Sequence, residues 1–439
     1  MFPLAAAALF AITGCRPDVT EVPVSSPPSI DGTPQVLVPS RSRLLVPRSE
    51  LNPSLTFSED LAHHARVRQL SRDKWEIRVD GKVAATDLDG VLDGTPVISR
   101  DGTHVAWGER VSTGWRVSLG GKASEPVKAL GKVGLRVSRD GHFAWQAQTD
   151  AGWVVLLDGV PGPTWADLGP PVLSPNGGHL AYAALSAEGP VLVRDGEATP
   201  LDGEPIDAGF SADGSTFRLV IRRPDGLYVS DGTQEEGPFE DLGSPVHAPV
   251  GKRWSLPRHV DGAWQVVVDG EVVSTHDRVG HPGPVFSPDG QHIAWWAQDG
   301  DQYRVLRDGT PGRSWRAIGD LSLTWSEDGE HVAWLASTAD ELGSETWHVV
   351  VDDLPFLPRE EIADLTLSPD GSWVAWVGRE GTGWAVRLGR TRDGEVFTTD
   401  LVEGVGTDFG GGIAFVDGIL RYTSIDGLGL TVHDLELPE

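Results

Sequence analysis

The segment beginning at Ser287 reads SPDGQHIAW, and close variants of these nine residues return along the whole chain. Clear copies begin at Ser99 (SRDGTHVAW), Ser138 (SRDGHFAW), Ser174 (SPNGGHLAY), Ser326 (SEDGEHVAW) and Ser368 (SPDGSWVAW). Weaker copies begin at Ser58 (SEDLAHHAR) and Ser211 (SADGSTFRL). Spacing places two degenerate ones at Ala248 (APVGKRWSL) and Thr407 (TDFGGGIAF). The ten starts are 36 to 42 residues apart. A unit of that length cannot bury its own apolar face, so neighbouring copies must stack to form a core. The array occupies residues 45–439, nearly everything after the N-terminal segment.

Each copy reads as a run of short strands. Ser-Pro-Asp-Gly suits a type I turn, with Ser first, Pro second and Gly fourth. The apolar run that follows, IAWWA after His292, fits a strand covered on both faces. An alternating strand comes next, led by Trp75, Trp115, Trp153, Trp264, Tyr303, Trp347 or Trp384. In WQVVVDG, Trp264, Val266 and Val268 share one face. This strand ends in Asp-Gly at Asp80, Asp158, Asp269 and Asp308, a strong hairpin signal. SWRAIGD, from Ser314 to Asp320, reads as a fourth strand, and the strand before each Ser-Pro-Asp-Gly begins the next unit. The 54 Gly and 32 Pro of the chain fit such a turn-rich, all-β protein.

The motif FSPDGQHIAW, with W-x-V-x-V-D-G ahead of the next copy, resembles the β-propeller repeat of TolB-like proteins and their WD-type relatives. The resemblance covers roughly residues 45–439 and implies a β-propeller of about ten four-stranded repeats. One large ring is expected, because no linker-like break separates Ser58 from Thr407; two smaller rings are the alternative. No separate α/β domain precedes the first copy, so the Tol-system role does not carry over.

The chain has a single cysteine, Cys15, which excludes an internal disulfide or a cysteine-based zinc site. MFPLAAAALFAITGC reads as a secretion signal too short to span a bilayer. Ile12-Thr13-Gly14-Cys15 resembles the lipobox of bacterial lipoproteins, which implies cleavage after residue 14 and acylation of Cys15. Several acyl chains on one residue anchor stably, where one is marginal. Arg16 follows the cysteine where an Asp resembles an inner-membrane retention signal, so the outer membrane is favoured. Residues 15–44 read as a Pro- and Ser-rich tether, although QVLVPSRSRLLV (Gln35 to Val46) is apolar enough to supply a strand or two.

The net charge is −28, and the segment Arg16 to Phe57 is neutral, so the excess sits on the repeats. Such a surface repels nucleic acid and anionic head groups.

Residues that suggest chemistry are mostly tied to the repeat. His104, His142, His179, His292 and His331 occupy one position per copy, so they are spread around a ring and are expected to be structural rather than metal-binding. His276 and His281 are a close pair without a zinc spacing. Asp87, Asp89 and Asp93 superficially suggest a calcium loop but lack the terminal Glu and the required Gly. Most of the Trp residues read as core; Trp165, Trp296 and Trp315 fall outside the two commonest positions and are the better surface candidates. No nucleophile elbow, zinc-protease helix, phosphate loop or dinucleotide fingerprint is found, so no catalytic, cofactor or metal residues are assigned. The expectation is a lipid-anchored, extracytoplasmic propeller of the bacterial cell envelope that binds or scaffolds other envelope proteins. The alternative is a propeller hydrolase or lyase acting on glycan or peptide in the central funnel.

Overall fold

The computed structural model describes residues 34–51, 54–131, 135–281, 283–339, 343, 345–356, 361–405 and 412–438. Cys15, residues 1–14, most of the tether and the turn of the copy at Thr407 lie outside the described residues.

Ten sheets succeed one another along the chain, one per copy, antiparallel except for one parallel strand added to blade 9. Blade 7 shows the plan. Its first strand is split into Arg278–Val279 and Val285–Phe286, and both halves pair with Ile293–Asp299. Gln302–Arg307 and then Thr310–Trp315 complete the sheet. First strands of successive blades lie against one another, as Thr56–Phe57 does with Val97–Ile98 and Thr324–Trp325 with Ile362–Leu367. They therefore form the inner rim, and the exposed fourth strands form the outside. The fourth strand of blade 7 ends at Trp315, and Ala317–Ile318 already belongs to blade 8. The expected strand Ser314 to Asp320 thus straddles two blades, because the Asp308-Gly309 hairpin starts the fourth strand at once, at Thr310.

The local chemistry explains both turns. In the first, the backbone N–H of Gly290 donates to the carbonyl of Ser287 at 2.9 Å, and Gly290 has φ +70°. In the second, Asp308 and Gly309 have φ +50° and +81°, the left-handed pair that matches strand twist in a two-residue hairpin. Asp80, Asp158, Asp195 and Asp269 repeat that conformation.

The core lies between blades. In blade 7, Ala294 and Trp296 pack against blade 8, while Ile293 and Trp295 pack against blade 6. A strand led by two adjacent Trp thus fills the space on both of its faces, as expected for a run with no polar alternation.

The ring closes through the N-terminal part of the chain. Arg41–Pro47 pairs antiparallel with Gly429–Glu436 as the outer strand of blade 10. Gln35–Leu37 adds to blade 9, parallel to Val396–Thr399. Strand pairing therefore begins ahead of residue 45, inside the segment read as tether, because Leu37, Leu45 and Val46 find apolar partners in the last two blades. The architecture is a single ten-bladed β-propeller.

Candidate functional site

The repeat histidines are placed by a network that recurs from blade to blade. Ser287 Oγ donates to Asp289 Oδ1 at 2.5 Å and accepts the N–H of His292 at 2.9 Å. His292 Nδ1 lies 2.6 Å from Asp308 Oδ2, whose other oxygen accepts the N–H of Ile293 at 2.9 Å. His142 with Asp158, His179 with Asp195 and His331 with Asp352 repeat this arrangement at 2.6 to 2.8 Å. His104 departs from it and contacts Thr103 Oγ1 at 2.7 Å instead. The side-chain hydrogen bonds of these histidines are thus made within their own blades.

Two further members lie outside the five histidines aligned by the clear copies. His63, in a weak copy, sits on Asp80 at 2.9 Å. In the degenerate copy Arg253 takes the same place, 3.0 Å from Asp269. The usable signal is separation: His142, His179, Arg253 and His292 each precede their Asp by 16 residues.

The other candidates disperse. His276 is on the outer strand of blade 6, 2.9 Å from Asp299, whereas His281 lines a small space beside Trp296 and Leu321 at the inner rim. Lys74 Nζ donates to Asp89 at 2.7 Å and to the carbonyl of Asp87 at 3.1 Å, so a cation of the chain itself serves that turn. Trp296 and Trp315 are only 4 % and 5 % exposed, which corrects their reading as surface residues. Both sit in the apolar layer between blades 7 and 8, because the extra Trp positions are what make that layer dense. Trp165 is half-buried and donates to Tyr182 Oη at 3.3 Å.

The pattern breaks most clearly between blades 4 and 5. By register with the first strand, Ala183 of blade 4 stands where blade 7 has Trp296. The first strand of blade 4 is interrupted by Gly169-Pro170-Pro171, and the two prolines offer no N–H to the sheet. Blade 5 has a β-bulge between Pro205 and Asp207 that leaves Ile206 39 % exposed. Together these changes open a cavity of about 530 Å³. Its walls are apolar, with Pro171, Val172, Leu173, Ile206 and Phe217, and its charged groups are Arg136 and Asp207. A small residue alone does not make such a space. Gly108 occupies the same register in blade 2, but Leu92 and Leu130 fill in over it.

A second hollow, of about 690 Å³, lies on blade 5 around Pro224 and Pro238. Its charges are already engaged, Arg223 by Glu235 and Asp225 by Tyr228 Oη. The first cavity therefore has the form of a recognition site: concave, largely apolar, with a few polar groups.

No protein-family model matches the chain, and no curated protein sequence matches it. Solved structures that align with it include a Dos1 propeller, at 11 % identity over 92 % of this chain and 95 % of that one, TM-score 0.37. TolB from Acinetobacter baumannii aligns at 15 % identity over 71 % and 87 %, TM-score 0.26. An oligogalacturonate lyase in complex with manganese aligns at 13 % identity over 68 % and 97 %, TM-score 0.30. The class of the protein, a ten-bladed β-propeller, rests on its own sheets and their pairing.

Proposed function

We propose that the protein is a lipid-anchored binding module of a bacterial cell envelope, held to the membrane through Cys15 and recognising its partner at the inner rim between blades 4 and 5. The observation that carries this reading is the cavity. It arises where copies depart from the repeat, and its walls are apolar with one cation and one carboxylate. The carboxylate and imidazole groups with the spacing of a catalytic pair are instead the blade-locked Ser-His-Asp sets, each committed to backbone and turn. The lipobox-like tetrapeptide before Cys15 supports the anchor and favours the outer membrane.

Two measurements test the reading. Cys15→Ser should move the protein from the membrane pellet to the soluble fraction; unchanged pelleting contradicts the anchor. A photo-reactive residue at Ile206 should crosslink to an envelope protein, and excess unlabelled protein should compete the product away. Equal crosslinking from Val273, on the outer strand of blade 6, contradicts recognition at the inner rim.

A further inference from the structure

From the cavity between blades 4 and 5 we infer that its ligand is the free C-terminus of an apolar peptide, with the carboxylate on Arg136 and a backbone N–H on Asp207. This rests on the cavity being the recognition site and specifies what enters it.

Arg136 is on the two-residue strand Arg136–Val137, exposed, and has no side-chain hydrogen bond or ion pair among the described residues. Arg223 and Arg421, by contrast, already hold Glu235 and Asp434. In a protein of net charge −28, an unpaired guanidinium at the mouth of an apolar cavity selects an anionic group. Its fork geometry suits a carboxylate, which it can bind through two parallel hydrogen bonds.

Asp207 narrows the class. One of its oxygens accepts the N–H of Ala208 at 2.8 Å, and the other has no hydrogen-bond partner among the described residues. A carboxylate in the same cavity requires a donor from the ligand and disfavours a second negative charge. A phosphate dianion fails on charge. A fatty acid satisfies Arg136 but places methylenes against Asp207. A peptide end supplies the carboxylate, the neighbouring N–H and apolar side chains for Val172, Leu173 and Phe217. The volume of about 530 Å³ lies within the roughly 300–1,000 Å³ range of small-ligand sites.

The experiment uses the full chain and N-terminally labelled tetrapeptides ending in two residues drawn from Ala, Val, Leu and Phe, each as the free acid and as the C-terminal amide. Fluorescence anisotropy should show free acids binding at least tenfold more tightly than amides. Arg136→Gln should erase that ratio, and Asp207→Asn should weaken both forms while leaving wild-type thermal stability. Three results overturn the inference: equal affinity for acid and amide, tighter binding of decanoate than of any peptide, or no binding of any peptide. In those cases a crosslink from position 206 to an envelope protein still supports recognition at the inner rim, so the two claims fail separately.

Discussion

The imidazole of His331 in blade 8 lies over the α-carbon of Gly371 in the turn of blade 9. A Cβ at Gly371 would overlap the ring. His63 with Gly102, His104 with Gly141, His142 with Gly177 and His179 with Gly214 stand in the same relation. In these five turns the fourth residue therefore answers two demands at once. It must accept positive φ, +63° at Gly371, and it must leave room for the histidine of the preceding blade.

Gly371→Ala should accordingly cost about 2–4 kcal/mol, the sum of the left-handed penalty and the overlap. Gly309→Ala, at φ +81° with open space around it, should cost only about 1 kcal/mol. Urea unfolding of both variants checks the difference. His331→Ala in the Gly371→Ala background should recover part of the loss, because the two residues share one contact.

Stability should fall with acid in two separate windows. Burial, followed by the charge of Arg218, pushes His247 down to about 4. The folded state thus favours the neutral ring, while the unfolded chain binds a proton near 6.5. The contribution of His247 is full above about pH 6.5 and is lost as pH falls towards 4, on the order of 2–3 kcal/mol. Burial lowers His64, His348 and His433 in the same direction. Asp101 and Asp213 are held down to about 2, first by the hydroxyls of Ser99 and Ser211, so their contribution persists until the pH drops below the ordinary carboxylate range. His247→Gln should flatten the profile between pH 6.5 and 4 and leave the more acidic limb intact, as read by thermal melts.

The seam between blade 10 and blade 1 should be sensitive to loss of charge. Its fully buried apolar set among the described residues is Val46, Leu55 and Leu430. Beside it Arg66, with a side chain 4 % exposed, pairs with Glu50, while Arg78 pairs with Glu76 at 2.6 Å. Arg66→Ala should cost about 1–3 kcal/mol, since it empties the buried place of the Arg66 side chain, while Glu50, 26 % exposed, keeps Arg68 at 3.5 Å. Arg48→Ala, which breaks an exposed pair with Glu403, should cost under about 1 kcal/mol. Chemical denaturation of the two variants makes the comparison.

The turns, the buried strands and the copy number were legible because each is a local property repeated along the chain. The Ser-x-Asp-Gly turn depends on residues within reach of one another, and period-2 alternation marks Trp264, Val266 and Val268 without reference to any neighbour. What escaped depends on register between strands. Asp308 reads as a hairpin residue, and its second role, holding His292, appears only when the strands pair. Trp296 and Trp315 read as exceptions to a pattern, yet both face a neighbouring blade. At Gly280, too, a side chain would run into the Trp296 ring. The cavity was half legible. The position of Ala183 varies from Gly108 to Trp296 between blades, and whether neighbours fill the gap, as Leu92 and Leu130 do over Gly108, is decided in three dimensions.

A single closed ring underlies both the structural role of the histidines and the position of the cavity. Ser42 Oγ lies 2.8 Å from His433 Nδ1, joining the N-terminal strand Arg41–Pro47 to the last strand of the chain. Ser42→Cys with His433→Cys, in a Cys15→Ser background, should therefore form a disulfide on mild oxidation, seen as a faster band on a non-reducing gel. Two smaller rings would place the N-terminal strand beside a mid-chain blade. Persistently free thiols at both positions would contradict the single ring.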